Sequence, residues 1–169
     1  VLELFHEFTI SGAQGPELAT FTGTQRPDIA LRVKRHDLKD DYVLTYLFDA
    51  KYRLLSDDRD DAPDLPPPDA LNQMHRYRDA IYYMDRQSER PTPEKEVIGG
   101  YVLFPGEGDL DTIRRSDFYT AIEQVNIGAF PLRPGDAVQR RLLREHLQVI
   151  VQGRTGQLLA DVRPQKRMR

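Results

Sequence analysis

The chain has 169 residues and no cysteine. Disulfides and thiolate zinc sites are therefore excluded, and the composition fits a reducing, cytoplasmic setting. No apolar run approaches the length of about 18 residues that a membrane-spanning helix needs, so no membrane partner is expected. The N-terminus has no basic stretch followed by an apolar one and does not read as a secretory leader. It also lacks an initiating methionine, and the expectation is a fragment or a processed chain. No internal repeat is visible. His6, His36 and His146 have neither the mutual spacing nor the nearby acids of a zinc site, so no metal role is assigned to them.

What is present is an ordinary charged composition, unevenly spread. The net charge is −3, but residues 55–69 alone carry −5, through six aspartates against Arg59. Residues 133–169 carry +6. A basic C-terminal third suits a phosphate-contacting face, and it equally suits a solvated helix face with a basic tail.

The order of elements points to an α/β fold, a mixed β-sheet flanked by helices. Residues 1–10 alternate as a strand, and 18–23 form a short second one. Residues 28–34 and 42–53 are strands of period two. The second of these is apolar on both faces, so it should be central and covered on both sides. Residues 55–69 form an acidic, proline-rich loop. Residues 70–87 carry a helical apolar stripe, with Asp69 as a candidate cap. Strands follow at 97–105 and 125–132, separated by a loop at 106–111 and a short helix ending at Glu123. Residues 136–152 form an amphipathic helix with Val138, Leu142, Leu143, Leu147, Ile150 and Val151 inward. Gly153 ends it, and 154–169 is a basic tail.

Two of these strands carry acids, Asp28 and Asp49, and Lys51 stands two residues after the second. Residues i and i+2 of a strand share a face, so Asp49 and Lys51 project side by side. Pairing of the two strands as a hairpin brings Asp28 beside them. An ionisable pair at the end of a buried strand is costly without partners. Two carboxylates can hold a hard cation such as Mg²⁺, with Mn²⁺ as a substitute, and the Ala50 carbonyl lies where it could add an oxygen. Such an ion activates water and neutralises phosphoryl oxygens, and Lys51 could orient the water or stabilise charge. A surface ion pair accounts for Asp49 and Lys51 nearly as well.

Pro27-Asp28, 20 intervening residues, and Asp49-Ala50-Lys51 together resemble the signature of the PD-(D/E)XK nuclease superfamily. Gln73-Met-His-Arg-Tyr77 resembles the Q-x-x-x-Y motif of its RecB-type members, and i, i+4 spacing puts Gln73 and Tyr77 on one helical face. Gln25 to Asp28, Phe48 to Arg53, Met74 to Ala80, Gly99 to Pro105 and Pro131 to Gly135 resemble one branch. That branch is the C-terminal nuclease domain of restriction proteins that work with McrB-like AAA+ GTPases.

The resemblance implies a restriction-endonuclease-like domain over residues 1–153 that cleaves DNA with a divalent metal in defence against foreign DNA. It implies Asp28, Asp49, Lys51 and Gln73 as catalytic residues. Asp28, Asp49 and the Ala50 carbonyl would be the metal ligands. Tyr77, His75, Arg53 and Arg78 are candidates for support or phosphate contact, alongside bland packing and ion-pair readings of each. A further acid on a helix before the first strand is common in the superfamily. That helix would lie upstream here, with Glu3, Glu7 and Glu17 as substitutes of last resort. Cutting two strands needs two active sites, so a homodimer is expected on mechanism. A catalytically silent docking module and an RNA-directed nuclease are the competing readings.

Overall fold

The computed structural model describes residues 1–12, 18–36, 41–55, 64–84 and 92–153. The acidic stretch at 56–63, Glu17 and the basic tail at 154–169 lie outside them. Five strands build the main sheet: β1 (Leu2–His6), β3 (Ile29–His36), β4 (Asp41–Ala50), β7 (Val97–Phe104) and β8 (Ile127–Pro131), in the order β1-β3-β4-β7-β8. The β1–β3 and β3–β4 pairs are antiparallel, and β4–β7 and β7–β8 are parallel. A second sheet joins β2 (Leu18–Thr20), β5 (Ile81–Met84) and β6 (Pro93–Glu94). The mixed α/β architecture expected from the sequence is the one observed, and β4 occupies the central position.

Helix α1 (Pro68–Ala80) makes the crossover from β4 to β7. Pro67 is its N-cap and Pro68 occupies the first turn, where a fixed φ and a missing N–H cost nothing. Asp69, expected as the cap, lies in that first turn instead. Ala70, Met74, Tyr77 and Ala80 are buried, at helical spacing. They pack with Ala30, Leu47 and Val102 from one face of the sheet. The opposite face carries Leu31, Val33, Tyr46, Phe48 and Tyr101. It packs with Ile122 of α3 (Asp117–Val125) and Ile150 of α4 (Ala137–Gln152).

The approach of α1 to the sheet depends on Gly100. A Cβ there would stand 3.0 Å from Met74 Cβ and 3.3 Å from its Sδ. Met74 is fully buried, so it has nowhere to retreat. Gly100→Val should destabilise by at least about 1–3 kcal/mol, the usual range for overpacking. The expected fall in Tm is several degrees, at roughly 2–4 °C per kcal/mol for a chain of this size. An unchanged thermal melt would show that α1 does not bear on β7 at this point.

Three further expectations from the sequence need correction. The helix expected to reach residue 87 stops at Ala80, and Ile81 is already extended, with φ −98° and ψ 130°. Ile81-Tyr-Tyr-Met84 is β-prone, and pairing with β2 captures it. Lys95 then closes the helix end by donating to the carbonyls of Arg78 (3.2 Å) and Asp79 (2.7 Å). Part of the loop expected at 106–111 belongs to helix α2 (Leu110–Arg115). Asp109 starts it by accepting from the amides of Asp111 (2.9 Å) and Thr112 (3.0 Å). On α4, Leu142 and Ile150 face inward as expected, but Val138 and Val151 are exposed. His146 of α4 sits between the rings of Tyr101 and Phe130, at 4.6 and 5.0 Å. Burial pushes its pKa down to about 4 and keeps it neutral near pH 7.

Candidate active site

The β3–β4 register pairs Ile29 with Phe48. One step further, Asp28 stands opposite Asp49. Alternation sends both side chains to the face that carries Ala30, Leu47 and α1. Asp28 Oδ2 accepts a hydrogen bond of 2.7 Å from the Ala50 amide. The partner strand's backbone therefore fixes the first carboxylate.

Asp49 is only 1% exposed. Its Oδ2 is ion-paired with Lys51 Nζ and has no other hydrogen-bond partner among the described residues. Burial raises its pKa, Lys51 pulls it back, and the charge of Asp28 adds to the rise. Lys51 is only partly covered, and its amide donates to the Leu103 carbonyl at 2.8 Å. The ammonium is thus tethered at the C-terminal edge of the parallel strands, where ligands of open α/β sheets bind.

Helix α1 forms the wall over the two acids. Gln73 Nε2 donates to the Tyr77 hydroxyl, which donates to the Arg26 carbonyl at 2.8 Å. Tyr77 therefore holds the backbone just before Pro27-Asp28. Burial, followed by the nearby charge of Asp49, raises its pKa and keeps the hydroxyl a donor. Asp69, Gln73 and Tyr77 repeat every fourth residue along one face of α1. Asp69, one turn before Gln73, is paired with Arg53.

Two candidates lie on other faces of α1. Arg78 donates to the Val125 carbonyl at 2.9 Å, tying α1 to the end of α3. His75 is exposed, with its Nδ1 3.5 Å from Arg78. Of the substitute acids, Glu3 pairs with Lys34 (2.8 Å) and Arg32 (3.4 Å), four to six residues along β3 from Asp28. Glu7 is exposed; its amide, not its carboxylate, meets Asp28, donating to the carbonyl at 2.7 Å.

A buried polar cluster on the same sheet face was not foreseen. Arg32 Nε donates to Glu96 Oε1 at 2.8 Å, and the Thr45 hydroxyl donates to the same oxygen. The partners Arg32 and Glu96 are 64 residues apart, and no local pattern joins them.

The donor set suits a hard divalent cation. Two anionic oxygen ligands face one another across neighbouring strands, and one presents a buried oxygen met only by an ammonium. Among the described residues no third Asp, Glu, His or Cys completes a protein-only cage. Mg²⁺ commonly binds in this way, through one or two carboxylates with retained waters. The Ala50 N–H points at Asp28. In a strand a residue's carbonyl lies along the same edge as its N–H, which keeps that carbonyl within the candidate set.

Comparison with known proteins places the chain in a family. The family model described as PD-(D/E)XK nuclease superfamily matches residues 1–109, a span that contains both acids, Lys51 and all of α1. No curated protein and no solved structure matches the chain.

Proposed function

Since the chain belongs to the PD-(D/E)XK nuclease superfamily, we propose that it is a divalent-metal-dependent endonuclease that hydrolyses DNA phosphodiester bonds. The observation that carries this reading is the opposed pair Asp28 and Asp49, with Lys51 on the buried oxygen of Asp49. Asp28, Asp49 and the Ala50 carbonyl would hold the ion. When bound, Mg²⁺ or Mn²⁺ supplies a water of lowered pKa and neutralises phosphoryl oxygens.

The chain's own groups do the rest. Lys51 holds down the pKa that burial raises on Asp49 and presents a cation to the charge that grows on the transferring phosphoryl group. The amide oxygen of Gln73 has no donor among the described residues, so it is free to accept from the attacking water. Tyr77 fixes the backbone that aims Asp28. Arg53 serves as a phosphate contact.

A finer reading makes the chain a cytoplasmic restriction nuclease that defends against foreign DNA as a homodimer, driven by a McrB-like GTPase. It is supported by the branch motifs, Gln25 to Asp28 through Pro131 to Gly135. In the described residues no helix is long and apolar enough to cross a membrane.

The test is digestion of supercoiled plasmid and of an RNA of similar length. Each is incubated with Mg²⁺, with Mn²⁺ and with EDTA. The expected result is cleavage of DNA in either metal, none in EDTA, and intact RNA. Cleavage that persists in EDTA would overturn the metal-dependent reading, and preferential loss of RNA would overturn the substrate. Binding of DNA without cleavage in either metal would favour the docking module.

A further inference from the structure

We propose that Arg133, just past β8, is a second phosphate-contacting residue besides Arg53. The inference rests on the nuclease reading above and adds to it a residue that lies outside the matched span. In the β4–β7–β8 register Asp49 pairs with Val102, and Val102 with Ala129. Phe104 pairs with Pro131 in turn. These residues share the face of α1. The ladder runs one step further, with the Leu132 amide donating to the Phe104 carbonyl at 2.8 Å. Arg133 lies two residues past the end of β8, and the same alternation, continued from Leu132, would place it on the face of Asp49 and Lys51.

Two strand spacings separate β4 from β8, about 10 Å at ~4.8 Å each. A nucleic-acid strand covers that distance in roughly three nucleotides at ~3.4 Å of axis apiece. Arg133 is thus within one bound strand's reach of Lys51.

The position is built rather than incidental. Gln139 is 1% exposed, and its side chain bridges the loops that follow β7 and β8. Its Oε1 accepts from the Arg133 amide at 2.7 Å, and its Nε2 donates to the Gly106 carbonyl at 2.9 Å. The Glu107 amide donates to Asp64 Oδ2 at 2.8 Å, which joins the same loop to the approach to α1. The guanidinium is not part of this bridge. It is paired with Glu107 in an exposed bridge, with relative exposures of 44% and 70%. Exposed bridges contribute little to stability, whereas a guanidinium holds a phosphate through two parallel bonds. Arg133 can therefore leave Glu107 for a phosphate at small cost, as Arg53 can leave Asp69.

The test is the salt dependence of DNA binding, measured with a short duplex in the Asp49→Asn background so that no cleavage intervenes. The slope of log K against log salt should fall in magnitude by about 0.9 in Arg133→Gln, the value for one phosphate contact. Arg133→Lys should restore it. Lys95→Gln, at the opposite end of α1, should leave it unchanged. Arg133→Gln keeps the backbone bond to Gln139, and an unaltered melt would verify its fold. DNA binding with the parent slope in Arg133→Gln would overturn the assignment and leave the nuclease reading intact. An Asp49→Asn parent that binds no DNA, with a wild type that cuts none, would overturn both.

Discussion

Replacing Asp49 by Asn should abolish cleavage while leaving the protein folded and more stable at neutral pH. The carboxylate is buried against an apolar face, and its one close cation does not fully compensate, because its pKa is still raised. A carboxyl whose folded pKa lies above its unfolded value takes up a proton more readily in the folded state. Its ionised form therefore opposes folding near pH 7, and the opposition fades as pH falls toward the unfolded value. Asn is nearly isosteric and removes that cost. Each kcal/mol recovered should raise Tm by roughly 2–4 °C, with the gain over wild type shrinking as pH falls toward the ordinary aspartate range. Cleavage should fall on the order of 10³-fold or more, since several kcal/mol of metal-assisted stabilisation go with the ligand. Mg²⁺ should raise the Tm of the wild type and not that of the variant, since a ligand bound only to the folded state stabilises it. Wild-type cleavage by Asp49→Asn would remove the metal site from this position. A lower Tm for the variant at pH 7 would show that the Lys51 pair outweighs the burial.

Lys51→Ala should be nearly as damaging, for two separable reasons. The first is loss of the cation beside the reacting phosphoryl group, worth on the order of 10²–10³ in rate for one preorganised donor. The second acts through Asp49, whose pKa Lys51 holds down. Without it the carboxyl titrates at higher pH, so the acid limb of the pH–rate profile should move toward neutrality. Lys51→Arg keeps the charge, so the limb should stay in place even where the rate falls. A rate loss in Lys51→Ala with no movement of the acid limb would confine the lysine to the first role. Full activity would remove it from the reaction.

The parts of the site that were legible in the sequence are those set by short-range geometry. The i, i+2 relation of Asp49 and Lys51 follows from strand alternation, and the i, i+4 relation of Gln73 and Tyr77 follows from the helical repeat. The pairing of Asp28 with Asp49 needed only that β3 and β4 run antiparallel as neighbours. Illegible features had partners at long range or on the backbone. Arg32 and Glu96 meet only because β4 and β7 are parallel neighbours, bringing Glu96 beside Thr45. Arg78 was open to a phosphate reading because its acceptor, the carbonyl of Val125, has no side-chain signature. The end of α1 was misjudged because Ile81 and Met84 fit a helical stripe as well as a strand. What decided was the pairing of Ile81 with Thr20, 61 positions earlier.

The two supports of the first carboxylate carry a consequence for variation. Tyr77 grips residue 26 by its carbonyl, and residue 50 holds Asp28 by its amide. Neither bond reads a side chain. Position 26 can therefore drift without loosening the site, and position 50 can take any residue that fits the strand except proline, which has no N–H to give. The same freedom does not extend to position 77, where a phenylalanine would leave the carbonyl of residue 26 without its donor. Between Asp49 and Lys51, whose side chains act, the side chain of residue 50 is silent because its work is done by the backbone.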